Sequence, residues 1–256
     1  MKNLKIIICL VLLASNSFAS DFYKFGNRKP LKPSILTDKI GIKFVPSGLL
    51  LSTIGVQGEY VLANRVSVTL TYNKVMDKYL PKFFGVADKS FSKSTTMYGY
   101  MFTPEIRFYL NVLKDAPEGI YIAPYLRISH LNIEAEGKIT VHNLTSSRDI
   151  EASAEVDYNA FGGGALLGYQ KKFFNILLLD FYLLGFHMNK ANVNGVITSP
   201  DINTLSVDEY NSMAERLETK QFATPRLMKS GNEIQVSYSG ANIPGFRFGM
   251  ALGLLF

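Results

Sequence analysis

The stretch GFRFGMALGLLF (245–256) at the end of the chain decides the fold, because two kinds of side chain alternate along it. Bulky apolar residues occupy the even positions, and the odd positions hold mainly glycine and alanine. Successive side chains of a β-strand point to opposite faces, so the stretch predicts a strand with one bulky face and one small face. A helix would mix both kinds of side chain on each face.

The same period of two recurs from about Lys39 onward. The segment 66–73 is the clearest further case, since Val, Val, Leu and Tyr alternate there with Ser, Thr, Thr and Asn. Repeated segments of this kind predict an all-β fold of eight antiparallel strands, at 40–51, 56–62, 66–73, 98–110, 120–128, 160–169, 177–183 and 245–256.

The predicted connections alternate in length. Those at 63–65, 111–119 and 173–175 are short, and those at 77–95, 132–157 and 189–244 are long, with a short exception near 52–55. An up-and-down β-barrel with brief periplasmic turns and longer extracellular loops has this asymmetry.

Two of the long loops carry further patterns. Segments 134–141 and 149–156 could form a hairpin with its tip at 143–147. In the last loop, Ser206 and Glu209 form a capping box that predicts a helix through about Lys220, packed on the rim.

The small face indicates which side of the sheet lies inside the barrel. The inside of an eight-stranded barrel is barely wide enough for side chains, whereas the outside of a soluble barrel would favour Lys, Glu and Thr. The bulky face is therefore expected to point outward into lipid, and its members in the last strand include Phe246, Phe248, Leu252, Leu254 and Phe256. Tyr72, Tyr98 and Tyr100 suit an interfacial aromatic girdle near the outer ends.

Four positive and three negative side chains then point into the interior. Because an unpaired charge in a confined interior costs several kcal/mol, we expect these side chains to pair with one another. Such a structural network would fill the lumen and argues against a wide pore. Its predicted members are Lys43, Glu59, Glu105, Arg107, Arg127, Asp180 and Arg247.

The start of the chain predicts export. Lys2 and Lys5 precede an apolar run, and a cut after Ala19 would complete a secretory signal peptide over 1–19. Segment 20–38 is expected to be an extended arm, and 39–256 the barrel in the outer membrane of a Gram-negative cell. The single cysteine, Cys9, lies in the leader, so the remainder can form no disulfide. Beyond the leader, 25 basic residues against 21 acidic ones are scattered, so no nucleic-acid partner is expected.

Several segments carry a resemblance to known proteins. The final strand with its terminal Phe resembles the signal by which the outer-membrane assembly machinery recognises its clients. TPEIRFYL (103–110), GIYIAPYLR (119–127) and GGGALLGYQ (162–170) resemble the small outer-membrane barrel families of Bacteroidota, many of them named only as domains of unknown function. The resemblance covers roughly 39–188 and the final strand, and it implies barrel assembly machinery and outer-membrane lipid as partners. The long insertion 189–244 departs from the compactness of those families.

The sequence predicts no catalytic residue, cofactor or metal site. His130, His142 and His187 share no close motif with a second ligand, and zinc needs three or four convergent groups. Ser129 and His130 are adjacent on a strand and therefore point to opposite faces. The His-x-Ser-Asn signature expected of a lipid A deacylase is absent from the sequence.

Three functional hypotheses follow from these patterns. The first is a non-enzymatic outer-membrane protein of structural or interaction type, with a filled lumen and recognition of an extracellular ligand by loops 132–157 and 189–244. The second is a narrow channel or binding protein for small apolar compounds. The third is a lipid-modifying enzyme, which would need a convergent nucleophile and base at the level of the lipid.

Overall fold

A computed structural model describes residues 39–51, 53–79, 94–110, 115–142, 147–211 and 226–256. These residues are predominantly β-strand, which confirms the predicted all-β class. They contain β1 (Ile40–Phe44), β2 (Thr53–Ala63), β3 (Val66–Tyr79), β4 (Ser94–Tyr109), β5 (Gly119–His142), β6 (Ser147–Phe173), β7 (Leu177–Thr198), β8 (Arg226–Ser230) and β9 (Glu233–Leu255).

The described strands form one antiparallel sheet in which each strand from β1 to β7 pairs with its neighbours in the chain. Strand β9 pairs with both β7 and β1, so eight strands close into a ring. Strand β8 lies outside this ring, where it pairs with the first part of β9. Antiparallel pairing of consecutive strands is the order that the sequence predicts.

Buried and exposed side chains alternate along the strands with the same period of two as the sequence pattern. In β2, every second side chain from Thr53 to Val61 is buried, and those between them are exposed. The interior is crowded, as expected for a ring of eight strands. Gly168 illustrates this, because a β-carbon at that position would collide with the ring of Tyr121.

Strand β1 is shorter than the predicted segment 40–51. It ends at Phe44, and a 3-10 helix follows over Pro46–Leu51, so the prediction is wrong for that second half. Pro46 has no backbone N–H to pair with a neighbouring strand, which accounts for the stop. The Ser47 hydroxyl takes over part of the pairing, because it accepts from the Met250 N–H at 3.1 Å and donates to the Met250 carbonyl at 3.2 Å.

Other strands extend well beyond the predicted segments. Strands β5 and β6 contain 24 and 27 residues and pair from Gly119 as far as His142. Strand β7 continues to Thr198, and β9 begins at Glu233, so strands occupy both ends of segment 189–244, where the sequence predicts a loop. The predicted hairpin tip falls largely in 143–146, outside the described residues.

The strand segments beyond the ring carry an apolar cluster of their own. We call residues 131–142, 147–158, 190–211 and 226–242 the outer extension. Ile150 and Ile234 are buried there against a short 3-10 helix, Pro200–Thr204, whose Ile202 is also buried. Burial of these side chains stabilises the extension as a folded unit.

The capping box predicted at Ser206 and Glu209 is present. The Ser206 N–H donates to the Glu209 carboxylate at 2.8 Å, and the Glu209 N–H donates to the Ser206 hydroxyl at 3.3 Å. The hydrogen bond from Ser206, together with Arg148, holds the pKa of Glu209 below its ordinary value. The helix covers 207–211, and its predicted continuation to Lys220 lies outside the described residues. Within the part of the chain that the structure describes, no helix is long and apolar enough to cross a membrane.

Candidate functional site

Six of the seven charged side chains predicted for the interior contact one another inside the ring. Lys43 Nζ lies 2.7 Å from Glu59 Oε2 and 2.8 Å from Asp180 Oδ2. Arg107 Nη1 lies 2.6 Å from Asp180 Oδ2, and the same guanidinium contacts Glu105. A further ion pair joins Glu105 to Arg247. We call this set the ion network, and its members are Lys43, Glu59, Glu105, Arg107, Asp180 and Arg247.

The ion network is electrically balanced and buried. Its three positive and three negative groups come from β1, β2, β4, β7 and β9, so the pairs join strands on different sides of the ring. The side chains of five members are fully inaccessible, and that of Arg247 is 11% exposed. Buried ions are tolerated when opposite charges and hydrogen bonds compensate them, which is the situation here.

Two buried amides extend the ion network. The Gln170 side chain accepts from Lys43 Nζ at 2.7 Å and donates to Glu59 Oε2 at 2.9 Å. The Gln57 amide donates to the Thr71 hydroxyl at 2.8 Å. Neither amide is among the predicted residues of the network, although each occupies an inward-facing position of its strand.

Two buried tyrosines contribute in a similar way. The Tyr121 hydroxyl donates to Asp180 Oδ1 at 2.7 Å, and the Arg107 guanidinium carbon lies 4.4 Å from the centre of the Tyr121 ring. The Tyr109 hydroxyl donates to Glu59 Oε1 at 2.9 Å. Ions, amides and phenol rings together therefore fill the middle of the ring.

Arg127, the seventh predicted member, lies apart from the ion network. Its Nη2 atom lies 2.8 Å from the sulfur of Met101, and no ion pair joins it to a carboxylate among the described residues. Pairing between neighbouring strands aligns Arg127 with Gly162, Asn189 and Ile243. This row lies on the side of the network toward the outer extension.

The histidines occupy separate environments. Tyr125 OH lies 2.9 Å from Nδ1 of His187, which faces the interior, whereas His130 faces outward and contacts Asn159. The side chain of His142 lies outside the described part of the structure. Within the described residues, no group of three or more His, Cys, Asp and Glu side chains is arranged to hold a metal ion.

The predicted members of the assembly signal lie on the outer face of β9 and at Phe256, the residue that follows it. Phe246 and Phe248 are 66% and 74% exposed, and the remaining members, Leu252, Leu254 and Phe256, are exposed as well. Arg247 points to the opposite side, toward the interior, as the period of two requires.

Loss of one carboxylate from the ion network should destabilise the protein strongly. We expect Asp180→Asn to reduce the free energy of unfolding by about 3–5 kcal/mol, because the buried network would then hold three cations against two carboxylates. Urea titration of the refolded protein measures this change. The exposed residue Asp149 provides the matched control, for which Asp149→Asn should change stability by less than about 0.5 kcal/mol. Equal effects of the two substitutions would contradict a stabilising role for the network.

A scan against protein-family models, a search of the curated proteins and a search of the solved structures found no match for this chain. What can be inferred about its function therefore comes from its own residues and contacts.

Proposed function

We propose that the chain is an integral outer-membrane β-barrel protein of structural or interaction type, with a closed lumen and an outer extension that carries recognition. The observation that carries this proposal is the apolar outer face of the ring. Large apolar and aromatic side chains on this face are 36–74% exposed, with Phe102 the least exposed and Phe248 the most. Soluble monomers rarely expose a contiguous apolar surface above a few hundred Å².

The width of the apolar face supports a bilayer as its environment. On β5 the outward positions 120, 122, 124, 126 and 128 are Ile, Ile, Pro, Leu and Ile. These span nine residues, and a membrane-crossing β-strand needs about 9–11. Further along the same face, Glu134, Glu136 and Lys138 are exposed. The change from apolar to charged positions is what a boundary between hydrocarbon and water would require.

A row of paired residues marks the boundary of this face at its end nearest the outer extension, on five neighbouring strands. In strand order, Lys74, Tyr100, His130, Asn159 and Asn192 are cross-strand partners. Amphipathic and polar side chains of this kind suit the headgroup level of a membrane. Below the row, the outward positions of β2, β3, β4 and β5 carry no Lys, Arg, Asp or Glu as far as the turns at the opposite end, whereas on β7 Lys190 is exposed one pair below Asn192.

The tyrosines at this level strengthen the comparison with an interfacial girdle. The ring centres of Tyr72 and Tyr100 lie 6.4 Å apart, and those of Tyr72 and Phe102 lie 6.2 Å apart. Aromatic rings with one polar end are favoured where lipid meets water. Exposed aromatic residues at the opposite end of the ring, Phe108, Phe174 and Phe256, would form the second girdle, and Phe256 would also belong to the contact for the assembly machinery.

The ion network supports a closed lumen rather than a pore. Ions and tyrosines occupy the interior of the ring from β1 to β9, and a continuous aqueous path would require them to separate. The outer extension, with its own apolar cluster, then offers a rigid surface above the membrane. An interaction role places recognition there, on strands rather than on unstructured loops.

A charge placed on the outer face should reveal the depth of each position. Leu126 is 48% exposed at the middle of the apolar face of β5. We expect Leu126→Arg to lower the free energy of unfolding in phospholipid vesicles by about 2–4 kcal/mol, because the new charge would lie in hydrocarbon. Glu136→Arg, on the same face but beyond the boundary, should change it by less than about 0.5 kcal/mol. If the protein is soluble without lipid and tolerates both substitutions equally, the membrane assignment is ruled out.

Electrical recording tests the closed lumen separately. We expect the protein, refolded and inserted in a planar phospholipid bilayer, to show no steady channel of large conductance, since the ion network blocks the axis. Gramicidin added at the end of each recording verifies that the bilayer was intact. Heat-modified mobility on gels verifies that the protein had folded. Long-lived large openings of the wild-type protein would exclude a filled interior.

A further inference from the structure

We propose that a groove on the outer face of the ring, at the outer ends of β2, β3 and β4, binds an anionic lipid of the surrounding membrane. The phosphate of the lipid would pair with Lys74, and an acyl chain would lie along Ile54 and Val56. This inference rests on the proposed membrane location, because it gives the groove a ligand that a membrane supplies.

The groove is a concave region of about 910 Å³ that spans three neighbouring strands. Apolar and aromatic side chains form most of its lining, and Lys74 is the one charged residue among the described residues that line it. Clefts of this size are typical of sites that bind small molecules. The lining residues that matter for a ligand are Ile54, Val56, Tyr72, Lys74, Tyr98 and Tyr100.

Irregular strand pairing lies at the outer end of the groove. The register between β3 and β4 shifts between Val75 and Lys78, which is a β-bulge. Gly99, the partner of Val75, has a φ of 145°, and a β-carbon there would collide with the backbone of His130 on β5. A bulge bends its strand and increases the local twist, so the surface of the sheet is concave here rather than flat.

An open furrow continues from the groove along β2 toward the middle of the ring. Ile54, Val56 and Gly58 occupy successive outward positions of β2, and the first two side chains are exposed. A β-carbon at Gly58 would meet no atom within 4 Å, so this position leaves space between its cross-strand partners Ile42 and Leu70. The strand rises about 13 Å from Ile54 to Gly58, and an extended acyl chain can follow that length.

Lys74 supplies a positive charge at the outer end of the groove. Its cross-strand partners are Ile54 and Tyr100, and no ion pair joins it to a carboxylate among the described residues. Glu134 accepts a hydrogen bond from the Tyr98 hydroxyl at 3.2 Å, but it lies on β5, and β4 separates that strand from β3. The charge of Lys74 is therefore complementary to an anion at the membrane surface.

Two tyrosines at the level of Lys74 suit the headgroup region of a lipid. The rings of Tyr72 and Tyr100 are exposed, and their planes are inclined by 24° to each other. Tyrosine rings are favoured where lipid meets water, and their hydroxyls can donate hydrogen bonds to phosphate or ester oxygens. These side chains can therefore contact the part of a lipid that joins the phosphate to its acyl chains.

The order of these features matches a lipid better than a free anion. The outward positions of β3 run from Lys74 through Tyr72 to Leu70, that is, from charged through amphipathic to apolar. A lipid in the nearer leaflet presents its phosphate, ester groups and acyl chain in the same order of depth. A free phosphate would use Lys74 alone and would make no use of the apolar furrow.

Tryptophan fluorescence can measure which lipid occupies the groove, because the chain contains no tryptophan. Tyr72→Trp places a reporter in the lining and keeps an amphipathic ring there. The variant is refolded in phosphatidylcholine vesicles with a minor fraction of phosphatidylglycerol, and either lipid carries bromine on its acyl chains. We expect brominated phosphatidylglycerol to quench the reporter as if it were enriched about fivefold over its bulk fraction, the effect of one lysine near anionic lipid. High salt should reduce this enrichment by screening.

Lys74→Gln, added to the reporter variant, should abolish the enrichment. The matched control is Lys190→Gln, which removes the same charge from the outer face of β7, away from the groove, and should leave the enrichment unchanged. A reporter at Leu126, in the apolar face of β5, should show no preference between the two lipids. If Tyr72→Trp lacks the heat-modified mobility of folded protein, Tyr100→Trp reports on the same groove.

The possible outcomes separate this site from the membrane location on which it rests. Equal quenching of the groove reporter by both lipids would overturn the anionic site and leave the membrane location standing, with a neutral lipid or another apolar compound as the occupant. An enrichment that survives Lys74→Gln would also contradict the site. Absence of quenching by either lipid would contradict the membrane location, and the site with it.

Discussion

The ion network at the centre of the ring is the interaction on which the rest of the structure depends. A ring of eight strands encloses so little space that each charged side chain inside it must be matched by an opposite charge or a hydrogen bond. Lys43, Arg107 and Asp180 meet this demand directly, with separations of 2.6–2.8 Å between Asp180 and the two cations. Gln170 and Tyr121 complete the hydrogen bonds. Because its members come from strands around the ring, the network also connects parts of the chain that are distant in sequence.

The filled interior has consequences for the outer face and for function. Polar groups are gathered inside, so the outside of the ring is left to Leu, Ile, Phe and Tyr. A protein with this distribution is stable where hydrocarbon surrounds it, which is the basis of the membrane assignment that we propose. In the function that we propose, the surface available to partners lies beyond the ring, in the outer extension.

Much of this arrangement was predictable from sequence, because a period of two assigns each residue to a face. The segments chosen as strands all lie largely within observed strands, except 40–51, where Pro46 ends the strand. The same parity identified the inward charges. It could not identify their partners, since contact also depends on the register between strands, and register left Arg127 beside Gly162 and away from the carboxylates. The amides of Gln57 and Gln170, which extend the network, were not among its predicted residues because that prediction counted charged side chains only.

The outer extension was harder to predict for a different reason. In 190–198 and 233–243, apolar residues such as Val193 and Ile197 alternate with asparagine and threonine, so the pattern is weaker than in the ring. Burial of Ile150, Ile202 and Ile234 against one another stabilises strands that local pattern alone only weakly favours. Tertiary packing therefore determines these elements.

Depth-dependent quenching is the most direct test of the proposed orientation of the ring. Residues 20–256 contain no cysteine, so single cysteines labelled with a fluorophore can be placed at will. We expect labels at positions 122 and 126, in protein refolded into phospholipid vesicles, to be quenched strongly by lipids brominated along their acyl chains. A label at position 136 should be quenched by aqueous iodide instead. Iodide quenching of all three labels, with no effect of brominated lipid, would contradict the membrane assignment.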